Sequence, residues 1–277
     1  MKKSKKLHRL MLFLIILFFT ILVDFPILFV IINSFKSTSE IMMSGNSILP
    51  KNFTFDNYFS MYKNSNMLIF IRNSFFVTSI GTSLSIVVAG MAGFIMSRYK
   101  FIMVKGYSNF LLMMQMFPLI LSLIPLFILF KKAGIVNTHM GVIAIYLSMN
   151  LPFATWMFKG FFDSIPKELE QAAWIDGYSK AQSFVRIVLP ISGPGIIAVA
   201  IYSFLQCWNE YMIANIFLRK NELMTIPVGL QMFIQQYTSD WGGMFAAATT
   251  AMVPAFIIFV FFQKYIVSGV AAGSVKG

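Results

Sequence analysis

From Leu10 to Ile32 only two side chains are polar, Thr20 and Asp24. A continuous helix over such a stretch is long enough to cross the ~30 Å hydrocarbon layer of a bilayer. Five more apolar stretches of similar kind follow, at about 74–96, 110–130, 140–158, 195–218 and 244–266. Their apolar residues are continuous rather than alternating, which suits helices and not the strands of a membrane barrel. The expected fold is therefore an all-α membrane protein, one domain over residues 1–277 with six transmembrane helices. Composition closes off the soluble alternative: 58% of the residues are apolar and only 12% charged, against ~25% charged in a typical soluble domain.

The chain opens MKKSKKLHR, and the apolar run behind it is too long for a signal peptide, so it reads as an uncleaved first span. Within it Asp24 is expected near the far interface or against other helices, because a carboxylate facing lipid at mid-depth is costly. Basic residues set the orientation. Five precede the first span; Arg98, Lys100 and Lys105 follow the second; Lys159, Lys167, Lys180 and Arg186 follow the fourth; Lys264 and Lys276 close the chain, against eight elsewhere. This excess places both termini in the cytoplasm, with Lys131 and Lys132 snorkelling at an interface. The net charge of +12 is explained by anionic lipid rather than by nucleic acid. A single cysteine, Cys207, allows no internal disulfide.

Two connections are long. Residues 34–72 face outward and are turn-rich, suggesting a small ordered external element. Residues 159–194 face the cytoplasm, and their most informative stretch, 161–190, reads FFDSIPKELEQAAWIDGYSKAQSFVRIVLP. In the second, Pro166 suits the first turn of a helix, Glu168 and Glu170 lie near its positive end, and Gly177 is placed to terminate it. Ser179 and Gln182 have capping-box spacing for a second helix, which Pro190 is expected to end. On the first helix Leu169, Ala172 and Ala173 are read as one face with little side chain to block a partner's approach, and Glu170 and Asp176 as rim charges. A pair of surface helices that merely joins two spans remains the other reading.

Here the segment resembles the EAA loop of bacterial ABC importer permeases, in the carbohydrate-permease form IPKELEQAAWIDGYSKAQSFVRIVLP. NSFF from Asn73, AGIVNT at 133–138, WNEY at 208–211, TIPVGLQ at 225–231 and the closing AAGSVKG fall in the same order, and AGSVKG resembles the MalG-like half of maltose-type permeases. One position departs: the family pattern reads ELEEAA, and Gln171 stands where a glutamate is expected. The resemblance implies a sugar permease subunit, more often for an oligosaccharide, multi-pass in the bacterial cytoplasmic (inner) membrane. Its implied partners are a second, MalF-like permease, two ABC ATPase subunits and an extracytoplasmic sugar-binding protein. It also implies ATPase docking on Glu168, Leu169, Glu170, Gln171, Ala172, Ala173, Asp176 and Gly177, with ATP and Mg on the partner ATPases. The sequence contains no Gly-Lys dipeptide, hence no P-loop, and no cofactor, metal site or catalytic residue is expected on this chain.

A sugar pathway needs polar and aromatic groups turned into the helix bundle, where they are costly unless used. Gln115, Asn150, Trp156, Gln206, Asn209 and Glu210 are the candidates, with hydrogen bonding between helices as the competing use of each. The rival function is an ion-gradient-driven secondary transporter or channel with Asp24 and Glu210 as coupling carboxylates. An intramembrane hydrolase lacks a nucleophile paired with a base.

Overall fold

The computed structural model describes residues 2–43, 47–236 and 240–274; Lys276, counted above at the C-terminal end, lies outside them. The elements are α1 (Lys2–Ser34), α2 (Thr38–Met43), α3 (Asp56–Asn64), α4 (Met67–Arg98), α5 (Ile102–Met116), α6 (Leu119–Lys132), α7 (His139–Asp163), α8 (Glu168–Ile175), α9 (Lys180–Ser183), α10 (Leu189–Ile191), α11 (Gly193–Trp208), α12 (Met212–Phe217), α13 (Ile226–Gln236) and α14 (Trp241–Ser274). A π-helical turn at Phe184–Val188 and a 3-10 turn at Asn221–Leu223 complete them, and no strand occurs among the described residues.

The fold is an all-α membrane protein. Four helices are each long and apolar enough to cross a bilayer: His8–Ser34 of α1, then α4, α7, and Trp241–Tyr265 of α14. Among the described residues two bent helix pairs, α5 with α6 at 103° and the 180–191 segment with α11 at 76°, bring the number to six if each pair is one span.

The 103° bend corrects the reading of 110–130 as a single helix, and a break at 209–211 corrects that of 195–218. Pro118 has no N–H to donate, and its ring holds Phe117 extended at ψ 122°, so α5 stops at Met116 and α6 starts afresh. The 195–218 stretch contains α11, a break at 209–211, and α12. Nor does Pro190 end its helix. The preceding turn widens to the π pattern, with Leu189 N–H donating to Phe184 O, and the helix absorbs the missing donor and continues to Ile191.

The chain divides into two compact units, 1–67 with 230–253 and 68–229 with 254–277. In the first, residues 34–43 and 47–67 form an ordered element in the long connection between α1 and α4. Buried Asn57 donates to Ser34 O (2.8 Å) and Lys36 O (2.6 Å), and Lys36 Nζ donates to Ser47 O (2.6 Å). Phe35 stacks on Phe53 at 4.6 Å between centroids. Along α1 the apolar side chains from Leu10 to Leu28 are exposed, and so is Asp24.

In the second unit, small residues on α4 at steps of four let α7 approach closely. Ser85 and Ala89 are fully buried, and a Cβ added at Gly93 would lie 2.7 Å from Phe158 Cβ and 2.9 Å from Thr155 O. Ala89, Ala154, Phe158, Phe162, Val188 and Val199 form one apolar core there. The short motifs fasten the turns at one end of it. Asn73 donates to Glu222 O (2.7 Å) and Met224 O (3.0 Å), and Ser74 Oγ accepts from Ile226 N–H (2.7 Å). Asn137, in the left-handed region at φ 62°, accepts from Arg219 N–H (2.9 Å) and Lys220 N–H (3.1 Å).

Candidate functional site

Two arrangements in the second unit carry the candidate residues. The first is the helix-turn-helix at 161–190. Pro166 stands two residues before α8 rather than within its first turn, its carbonyl accepting from Leu169 N–H (3.4 Å). At the other end Tyr178 N–H reaches Ala173 O (3.0 Å) and Gly177 N–H reaches Trp174 O (3.1 Å). This is the Schellman pattern, and its left-handed residue is Gly177 at φ 87°. The capping box forms: Ser179 Oγ accepts from Gln182 N–H (3.2 Å), and Gln182 Oε1 accepts from Ser179 N–H (2.8 Å). Trp174 Nε1 then donates to Ser183 Oγ (3.0 Å), tying α8 to α9.

Charge fixes the same loop to the membrane helices. Arg98, the last residue of α4, pairs with Glu170 at 2.6 Å, and the two side chains are 7% and 4% exposed. The guanidinium also donates to Ser97 Oγ (2.8 Å), Phe162 O (2.8 Å) and Ile165 O (3.2 Å). Ser97 Oγ donates in turn to Asp163 Oδ1 (2.7 Å), whose Oδ2 is 2.5 Å from Lys159 Nζ. One arginine therefore clamps α8 to the ends of α4 and α7.

This clamp divides the eight docking candidates. Glu170 and Ala173 face the chain's own interior, Ala173 at 3% exposure; Glu170 is thus corrected from a rim charge to an internal anchor, and Ala173 from open face to packing. Glu168, Leu169, Gln171, Ala172, Asp176 and Gly177 are exposed. At 100° per residue the outward face centres on Glu168, Ala172 and Ile175. Ile175 had not been singled out, although its spacing from Glu168 and Ala172 marks it; it is 87% exposed. Arg98 had been read only as one basic residue among several, and its pairing with Glu170 carries no local signal.

The second arrangement lies where α7 and α11 pack together. Buried Asn150 donates to Tyr146 O (3.0 Å) and to Cys207 Sγ (3.1 Å). Glu210 bridges the break after α11: its Oε1 accepts from Ile213 N–H (2.7 Å), and its Oε2 accepts from Ala214 N–H (3.0 Å) and Tyr146 OH (3.1 Å). Both residues serve the bundle's own structure. Gln206 on α11 and Asn209 just after its end are instead exposed. Gln206 Nε2 donates to Tyr202 OH (2.9 Å), and Tyr202 lies against Phe153 at 4.2 Å between centroids. Tyr202, Gln206 and Asn209 share a face by spacings of four and three, so an aromatic pair and two amides stand together on it. Tyr202 and Phe153 had been missed because an aromatic residue in an apolar run gives no sign of which way it faces. Trp156 is half-buried with Lys159 Nζ 5.9 Å from its ring centre, and Gln115 is exposed on the last turn of α5. Among the described residues no three His, Cys, Asp or Glu side chains gather as a metal site.

Comparison with known proteins gives a consistent picture. Residues 82–272 match the family described as binding-protein-dependent transport system inner membrane component. The chain is 30% identical over 91% of its length, and 89% of the relative's, to the sulfoquinovosyl glycerol transport system permease protein SmoH of Agrobacterium fabrum. It is 30% identical to the trehalose/maltose transport system permease protein MalG of Thermococcus litoralis, over 99% of each chain. A crystal structure of a bacterial ABC transporter involved in import of the acidic polysaccharide alginate shares the fold. Its TM-score is 0.81 at 18% identity, over 95% of this chain and 97% of that one.

Proposed function

This chain belongs to the family of binding-protein-dependent transport system inner membrane components, the permease subunits of ABC transporters, and on that premise we propose that it carries an oligosaccharide into the bacterial cytoplasm. The chain is a multi-pass membrane protein and not an enzyme. In the proposed complex it pairs with a second, MalF-like permease and two ATPase subunits, which hold ATP and Mg, and it receives sugar from an extracytoplasmic binding protein. The substrate class rests on the names of the relatives. Both termini are assigned to the cytoplasm from the distribution of basic residues.

The observation that carries the coupling role is the outward face of α8. A helix with Glu168, Ala172 and exposed Ile175 outward, clamped from behind by the Arg98–Glu170 pair, can pass force from a docked ATPase to α4 and α7 without unwinding. The polar and aromatic face of Tyr202, Gln206 and Asn209 suits a sugar, which offers hydroxyls to amides and flat C–H faces to rings. Glu210 is less suited to ion coupling, since three donors already occupy its two oxygens. The test is co-purification. Ala172→Leu places a larger side chain in the middle of the outward face, at a cost of ~1–3 kcal/mol in a close-packed contact. It should release the ATPase subunits while the two permeases stay paired. Full ATPase retention would remove α8 from the coupling role.

A further inference from the structure

Beside the clamp, the ends of α4 and α7 and the start of α5 line an open cavity of about 800 Å³, within the ~300–1,000 Å³ range of small-molecule sites. Arg98, Lys100, Lys105, Lys159 and Lys167 line it, with Asp163 as its one carboxylate. Two of these cations are already committed, Arg98 to Glu170 and Lys159 to Asp163. Asp163 is itself fully engaged by Ser97 and Lys159. Lys100, Lys105 and Lys167 are exposed, and none has an ion-pair partner among the described residues. The cavity therefore keeps a net positive charge that no side chain among the described residues pairs with.

Two further features indicate what answers it. The N-terminus of α5 opens on the cavity, with no acidic residue in its first turn and no side chain capping it, so its amides add positive potential. Next to the lysines Ile102 and Met103 are 81% and 76% exposed, an apolar bed beside a cationic hollow. The cavity lies where α4 ends at Arg98, α5 begins at Ile102 and α7 ends at Asp163, the depth at which spans leave the hydrocarbon and meet the headgroups.

We propose that this cavity binds the phosphodiester headgroup of an anionic phospholipid, with Lys100, Lys105 and Lys167 around the phosphate and the acyl chains lying along Ile102 and Met103. A soluble phosphate ester offers the same charge but has nothing to lay on the apolar side, so the lipid is the occupant that uses the whole site. Zwitterionic lipid carries a cation that the lysines repel, which makes the site selective for net negative headgroups. The inference rests on the membrane fold and not on the identity of the transported sugar.

The experiment is native mass spectrometry of the full chain, delipidated in neutral detergent and exposed to equal amounts of dioleoyl phosphatidylglycerol and dioleoyl phosphatidylcholine. Phosphatidylglycerol should be retained in preference by about tenfold, as a few lysines near a headgroup supply. The triple variant Lys100→Gln, Lys105→Gln, Lys167→Gln should lose that preference, and the corresponding triple change to Arg should keep it. Fluorescently labelled phosphatidylglycerol should also leave the wild-type chain when the sodium chloride concentration is raised to ~0.5 M, since screening weakens exposed lysines. Glycerol 1-phosphate at the same concentration should not displace it. An undiminished preference in the Gln variant, or retention unaffected by salt, would overturn the site. Displacement by glycerol 1-phosphate would overturn the lipid assignment in favour of a soluble phosphate ester.

Discussion

Removing the Glu170 carboxylate tests whether the Arg98–Glu170 pair holds α8 in place. In Glu170→Ala the guanidinium, 7% exposed, keeps Ser97 Oγ and two carbonyls but loses its only counter-charge among the described residues. Breaking a buried pair from one side costs ~3–5 kcal/mol, and the remaining partners of Arg98 put this case at the lower end, ~3 kcal/mol. The cheapest response is local: α8 undocks while the spans stay folded. Since every 1.4 kcal/mol is tenfold, the undocked population should rise roughly 100-fold. A thiol at Ala173 reports it, because that side chain is 3% exposed when α8 is docked. With Cys207 replaced by Ser, the alkylation rate of Ala173→Cys by a water-soluble maleimide should rise about 100-fold in the Glu170→Ala background. A thiol at exposed Ala172 should change by less than about twofold, as it is reachable in either state. Glu170→Gln keeps an acceptor without the charge and should fall between, near tenfold. A rate at position 173 within about threefold of the parent would show that packing alone holds α8.

The other substitutions separate structural from transporting roles in the membrane segments. Glu210→Ala leaves Ile213 N–H, Ala214 N–H and Tyr146 OH without their acceptor and should destabilise the detergent-solubilised chain by ~1–3 kcal/mol in thermal unfolding. Glu210→Gln, with one acceptor retained, should unfold nearer the wild type and keep uptake; lost uptake at unchanged stability would instead mark a coupling carboxylate. Gln206→Ala and Asn209→Ala each remove an exposed amide, and the loss of ~1 kcal/mol per hydrogen bond to sugar should raise the half-saturating sugar concentration about fivefold without moving the unfolding midpoint. Unchanged uptake in both would assign that face to contact with another helix.

Some local signals in the sequence were readable to the atom, others, the helix limits expected from Pro166 and Pro190, were displaced, and long-range signals were not readable. The capping box at Ser179 and Gln182 and the left-handed turn at Gly177 are each set by a few neighbouring residues, and both stand as their spacing implies. Hydropathy marks where the chain is apolar but carries no information on direction. It ran through Phe117–Pro118 and through 209–211, where the helices break. On α8 the adjacent Ala172 and Ala173 point 100° apart, so packing can bury one and leave the other exposed. Which one turns inward is decided by Arg98, 72 residues from Glu170 in sequence. The same gap explains Tyr202 and Phe153, whose side of the helix is set by α7 packing on α11.

The proposed function requires this chain to move sugar at the expense of ATP hydrolysed on another subunit. Its most direct test reconstitutes the chain with the second permease and the ATPases in proteoliposomes, encloses ATP in the lumen, and presents labelled oligosaccharide with the binding protein outside. Accumulation should require lumenal ATP and the binding protein, be unchanged by a protonophore, and be lost in Ala172→Leu. Accumulation driven by a proton or sodium gradient, with neither ATP nor the ATPase subunits present, would contradict it.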